Sequence, residues 1–147
     1  MDLLPIRQTL AENSEFLSLP LCLESLHMSI EFYRKAGYHP PWISYYARID
    51  EMVVGVGGFK GPPVNGTVEI GYGTFEPFQN KGVASGICKR LIVVSHESDR
   101  AVKITARTLP DLNFSTKILR KNHFIFAGSV LDPEDGLLWQ WKYQPVK

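Results

Sequence analysis

The stretch "QNKGVASGICKRL", Gln79 to Leu91, places Gly82, Ala84 and Gly86 at the start of what otherwise reads as a good helix. A helix N-terminus carries unpaired N–H groups and the positive end of the dipole, so it holds an anion wherever small residues let one approach. Each glycine costs about 1 kcal/mol against alanine as a helix former. Either an anion docks at this turn, or the small residues let the helix press closely on a sheet. The Walker loop does not fit, because Lys81 precedes Gly82 where Gly-Lys-Ser/Thr is required. The dinucleotide fingerprint fails as well, since Glu76 stands where a third glycine should follow Gly71 and Gly73. A carboxylate and a hydroxyl accompany the turn. Glu69 projects opposite Val68, Ile70 and Tyr72, beside the gaps left by Gly71 and Gly73, and Ser115 opens a later helical segment. Taken alone, the first also suits cross-strand pairing and the second local hydrogen bonding.

These residues need elements to hold them. "LLPIR" suits a short edge strand, with Pro5 where a ladder donor can be spared. Helical patterns follow over Leu10 to Leu17 and, after the break at Pro20, over Leu21 to Gly37, with Leu23, Leu26, Ile30 and Tyr33 on one face. Trp42 to Phe59 reads as a hairpin hinged at Asp50 and Glu51, and Thr67 to Phe75 as a third strand. The helix of the quoted stretch turns Val83, Ala84, Ile87, Cys88 and Leu91 inward. Beyond it come a strand at Ala101 to Thr108, a helix at Pro110 to Asn122, and strands at Phe124 to Leu131 and Gly136 to Gln144. That order specifies an α/β (α+β) fold on a mixed sheet, with residues 1–147 as a single domain.

Composition narrows the partners. A chain of 147 residues, 44% apolar and 21% charged, is long enough to bury one core. Sixteen basic residues against fifteen acidic give no general drive toward nucleic acid or an anionic membrane. Cys22 and Cys88 form no CxxC, and the four histidines show no ligand-like spacing, so neither a disulfide framework nor a metal site is expected. Asp2 stands where a secretory signal would be basic, and no apolar run approaches a membrane span. The expectation is a soluble, cytoplasmic protein.

"QNKGVA", Gln79 to Ala84, matches the pattern Gln/Arg-x-x-Gly-x-Gly/Ala, and here the chain resembles the GNAT superfamily of N-acetyltransferases. The resemblance implies that Gln79, Asn80, Lys81, Gly82, Val83 and Ala84 hold the pyrophosphate of acetyl-CoA. "VEIGYGTF" is similar to the family's fourth strand, which implies Tyr72, Gly73 and Thr74 as neighbours of the pantetheine arm. In "LPDLNFSTKILRKNHF", Ser115, Leu119, Lys121 and Phe124 keep the family spacing. Asn113, the implied cofactor contact there, stands two residues before Ser115 instead of the common three, and His123 replaces the usual glycine. Asn122 or His123 is therefore expected to make a left-handed helix stop. The stretch from Gly57 to Tyr72 looks most like the ribosomal-protein alanine acetyltransferase branch.

The resemblance implies a sheet splayed at its centre, mostly antiparallel and flanked by about four helices. By analogy with the family, Glu69 is the base that draws the proton from an acceptor amine. Ser115 returns a proton to the departing thiolate, with Tyr72 as a second candidate for that role. A backbone N–H near Tyr72 polarises the thioester carbonyl. The implied activity is direct transfer from acetyl-CoA, as cosubstrate, to a primary amine on a protein N-terminus or a small molecule. A homodimer is a family-level expectation. A non-catalytic acetyl-CoA-binding domain is the alternative. Trp139 and Trp141 are expected to pack or to wall an acceptor pocket, and Tyr38, His39 and Trp42 are candidates for an acceptor-side loop.

Overall fold

Alternating apolar and polar residues produce seven extended segments, which join in one sheet. The computed structural model describes residues 1–145. Its strands are β1 (Asp2–Pro5), β2 (Ser44–Ile49), β3 (Met52–Phe59), β4 (Thr67–Thr74), β5 (Lys103–Thr108), β6 (Phe124–Asp132) and β7 (Gly136–Tyr143). The order is β1-β2-β3-β4-β5-β7-β6. Among the described residues only β4 and β5 pair in parallel. The helices are α1 (Ser14–Leu17), α2 (Leu23–Ala36), α3 (Val83–Ser98) and α4 (Phe114–Lys121). The mixed sheet agrees with the order of elements in the sequence, and its mostly antiparallel pairing with four helices among the described residues agrees with the family resemblance.

Helices cover both faces. Tyr46 of β2 points toward α1 and α2, where its ring meets Phe16 and its hydroxyl donates to the Cys22 carbonyl oxygen at 2.8 Å. The opposite face receives α3, which buries Ile87, Cys88 and Leu91 completely. A Cβ on Gly57 would stand 2.5 Å from Ile87 Cγ2, so the close approach of α3 to β3 depends on a bare strand at that point. Fully burying a side chain such as Phe16, Leu26, Ile87 or Leu91 stabilises the fold by about 1.5–3 kcal/mol each.

The elements differ from the sequence expectation mainly at helix starts. The segment from Leu10 forms a 3-10 turn (Ala11–Asn13) before the single turn of α1, and Pro20 opens another 3-10 turn that leads into α2. The β2–β3 hairpin does hinge at Asp50 and Glu51, both at positive φ (49° and 68°), as a tight two-residue turn demands. Trp141 is buried and donates from Nε1 to Thr108 Oγ1 at 2.9 Å, while Trp139 packs near it. Tyr38 and Trp42 meet Tyr33 and Phe59 edge-on. These aromatic side chains are engaged in packing.

Candidate functional site

The parallel ladder between β4 and β5 joins Thr67–Ile70 to Lys103–Ala106 and goes no further among the described residues. From Gly71 to Thr74, β4 is paired on its β3 side alone. The register decides which backbone groups this parting exposes. Phe75 N–H donates to the Val54 carbonyl oxygen, and Lys60 N–H to that of Glu69. Odd-numbered residues of β4 therefore bond β3, and the N–H groups of Tyr72 and Thr74 point into the split.

The turn after β4 delivers the start of α3 to the same place. Asn80 and Gly82 take positive φ (65° and 78°), and Gly82 is the residue before the first helical turn. Gly86 N–H donates back to Gly82, which leaves the N–H groups of Val83, Ala84 and Ser85 without intrahelical partners and without a side-chain cap. The first turn holds no acidic residue, so the positive end of the dipole is uncompensated. A Cβ on Gly82 or Gly73 would meet nothing within 4 Å. The small residues differ in their surroundings, and at neither Gly82 nor Gly86 would a Cβ meet the sheet. Gly82 and Ala84 open a groove, whereas Gly86 lies under the Met1 side chain, where a Cβ would stand 2.9 Å from the Met1 methyl carbon.

The groove has a volume of about 600 Å³. Tyr72, Gly73 and Thr74 line it from β4, and Gln79, Asn80 and Gly82 from the turn. Val83, Ala84 and Ser85 line it from α3, and Ser115 faces them from α4 with Phe114 and Ile118. The sequence did not single out Lys117 as a lining residue. It stands one turn from Lys121, and the pair gives the α4 wall two cations on one helix face. That spacing was the available signal. Free N–H groups opposite two lysines form a site for a phosphorylated ligand, and the unpaired edge of β4 suits an extended amide chain beside it.

Lys81 and Asn113 are not among the lining residues. Lys81 is exposed in the turn. Asn113 instead caps α4: its Oδ1 accepts from Thr116 N–H at 3.2 Å, while Asn113 N–H donates to Thr116 Oγ1 at 3.0 Å. His123 makes the left-handed stop at the other end, with φ 68°. Buried Asn122 ties the walls together, donating from Nδ2 to Ser85 Oγ at 3.1 Å and to the Ile118 carbonyl oxygen at 2.9 Å.

Glu69 also lies outside the groove lining, on the opposite face of the sheet. Its Oε2 is 2.6 Å from Lys60 Nζ and its Oε1 3.4 Å from Arg107 Nε, and Arg107 Nη1 stands 3.1 Å from Asp132 Oδ2. These partners come from distant segments, and local spacing gave no sign of them. On the groove side, burial pushes the Tyr72 phenol well above its ordinary range and Cys88 adds to the shift. The Tyr72 hydroxyl has no hydrogen-bond partner among the described residues.

Solved structures share this architecture at low identity. RimL, a ribosomal alpha-N-protein acetyltransferase in complex with coenzyme A, aligns with a TM-score of 0.62 at 22% identity over 92% of this chain and 77% of its own. A ribosomal-protein-alanine N-acetyltransferase from Brucella melitensis gives 0.60 at 19% identity, covering 82% and 76%. A spermidine N-acetyltransferase SpeG chimera from Vibrio cholerae and hSSAT gives 0.69 at 13%, covering 97% and 95%. At these identities the likeness concerns the fold. No curated protein sequence matches significantly. The sequence model of the acetyltransferase (GNAT) domain matches residues 5–125, most of the chain and every element that lines the groove. The chain belongs to the GNAT acetyltransferase domain family.

Proposed function

We propose that this protein transfers the acetyl group of acetyl-CoA directly to a primary amine, on a protein N-terminus or a small molecule. The observation that carries this reading is the groove itself, where the uncapped N-terminus of α3, the free edge of β4 and the two lysines of α4 converge. A pyrophosphate fits the first and third, and a pantetheine arm the second. Gln79, Asn80, Gly82, Val83 and Ala84 would hold the phosphates, with Lys81 supplying charge from the rim and Asn113 acting through the start of α4.

Acetyl-CoA supplies the acetyl group as a thioester. Glu69 takes the proton that the amine loses as its nitrogen bonds the carbonyl carbon, and the Tyr72 N–H in the split polarises the carbonyl oxygen. Such a backbone donor contributes roughly 100-fold or more in rate. As the C–S bond breaks, the Ser115 hydroxyl in the groove gives a proton to the thiolate and regains one from water, to which Glu69 in turn releases the proton it took. Direct transfer is favoured over an acyl-enzyme because both cysteines are buried, and burial pushes the Cys88 thiol up to about 12. Two buried free thiols also suit a reducing, cytoplasmic setting, and no helix among the described residues is long and apolar enough to cross a membrane.

One observation favours the second reading, a non-catalytic acetyl-CoA-binding domain: both oxygens of Glu69 already face cations. Calorimetric titration with acetyl-CoA, with ATP and NAD as controls, tests the shared premise, and an amine panel scored by thiol release separates the two. Selective acetyl-CoA binding and turnover are expected. Glu69→Gln should lower kcat on the order of 100-fold and Ser115→Ala about tenfold, without loss of acetyl-CoA affinity. Firm binding without turnover on any amine would leave the binding domain, and no acetyl-CoA binding would sink both.

A further inference from the structure

Lys60, Glu69, Arg107 and Asp132 form a row of alternating charge across the place where the sheet parts. Its links differ in kind. Asp132 is anchored, since its Oδ1 accepts the N–H groups of Glu134 and Asp135 at 2.8 and 3.0 Å. Its Oδ2 accepts an aligned hydrogen bond from Arg107 Nη1 at 3.1 Å. Arg107 follows Ala106, the last β5 residue paired with β4, so its guanidinium continues by side chain a connection that the backbone has just ended.

Lys60 is held differently. It follows the end of β3, its side chain is 59% exposed against 19% for Glu69, and its ammonium approaches Oε2 at 2.6 Å without an aligned hydrogen bond. Arg107 Nε approaches Oε1 at 3.4 Å, also without an aligned hydrogen bond, but its side chain is 28% exposed and tied to Asp132, so the more exposed Lys60 is the partner that exchanges readily. The group that Lys60 presents to Glu69 is a primary ammonium, which is what an amine acceptor presents.

We propose that Lys60 occupies the acceptor's place on Glu69 and is displaced by the incoming amine, while Arg107, fixed by Asp132, is a positioning residue that keeps the carboxylate there when Lys60 leaves. The proposal rests on the reading of Glu69 as the base. It makes Lys60 a determinant of specificity: an acceptor arrives as an ammonium that replaces Lys60 and gives one proton through Glu69 to solvent before its nitrogen attacks, and a neutral nucleophile such as an alcohol leaves Lys60 in place.

The test uses the full chain with saturating acetyl-CoA and, as probe acceptor, a short peptide with a free alanine N-terminus. Lys60→Met removes the competitor and is expected to lower the acceptor KM about two- to fivefold, a larger change than in kcat. Arg107→Met should lower kcat on the order of tenfold with acetyl-CoA affinity retained, and Arg107→Lys should restore part of it. An unchanged or raised KM in Lys60→Met would overturn the displacement. Equal loss in both Arg107 variants, or loss confined to folding stability, would overturn the positioning role. If the unaltered protein binds acetyl-CoA but acetylates no amine, the activity itself fails, and carbon-13 spectra of labelled glutamate titrated with ethylammonium then decide the displacement. A Glu69 carboxyl shift saturating at lower concentration in Lys60→Met than in the unaltered protein supports it, and identical curves overturn it.

Discussion

Tyr72 carries two separable groups, a backbone N–H that faces the split and a phenol that faces α3. The hydroxyl is buried without a partner among the described residues, and burial holds its proton on well above the ordinary range. With no partner among the described residues to return its proton, the buried Tyr72 hydroxyl is less readily re-protonated than the half-buried Ser115 hydroxyl on the opposite wall. Tyr72→Phe keeps the N–H and removes only the orphaned oxygen. Chemical denaturation should show stability unchanged or raised by up to about 1 kcal/mol, because no hydrogen bond is lost and a desolvated polar group disappears. Turnover should stay within about twofold, and a tenfold fall in kcat would transfer the acid role from Ser115 to Tyr72. Alternation along β4 was enough to place Glu69 and Tyr72 on opposite faces from sequence. It was silent on Lys60, Arg107 and Asp132, because an ion pair between remote segments leaves no local periodicity.

The helices show why a motif's spacing matters. With Asn113 only two residues before Ser115, its side chain serves the capping box with Thr116, and α4 begins at Phe114 and not near Pro110. Helical pattern marked the segment, but the start is set by a hydrogen bond that periodicity does not encode. Asn122 has the opposite character: its amide reaches across to Ser85 in the first turn of α3 and so sets the width of the groove. Asn113→Ala should cost about 1 kcal/mol by urea denaturation, as a lost cap does. Asn122→Ala should cost about 1–3 kcal/mol, since it strands a buried partner. Calorimetry should find acetyl-CoA affinity reduced more by Asn122→Ala than by Asn113→Ala. The reverse order would mean that Asn113 touches the cofactor directly.

At the scale of the molecule, the sheet is two halves joined by one short parallel ladder. The insertion of β7 between β5 and β6 is a nonlocal choice that strand patterns along the chain do not reveal. Yet it carries the β6–β7 turn, and with it Asp132, to the end of β5 where Arg107 can reach. The row of ion pairs from Asp132 through Arg107 to Glu69 thus spans the halves where backbone pairing stops. Its pH dependence has a definite sign. The N–H groups of Asp135 and Glu134, and then Arg107 and Lys60, hold the Asp132 carboxyl below the usual carboxylate range. A depressed folded-state value stabilises the fold above the unfolded-state value of about 3.9, and that contribution is lost as pH falls through the lower folded value. Asp132→Asn keeps an oxygen for the turn and removes the charge. Thermal midpoints of the two proteins should differ at neutral pH, hold that difference down to about pH 4, and converge below it. A gap that persists unchanged through acid would mean that the effect does not come from the carboxylate's charge, and neither the turn N–H groups nor the ionic link to Arg107 would then account for it.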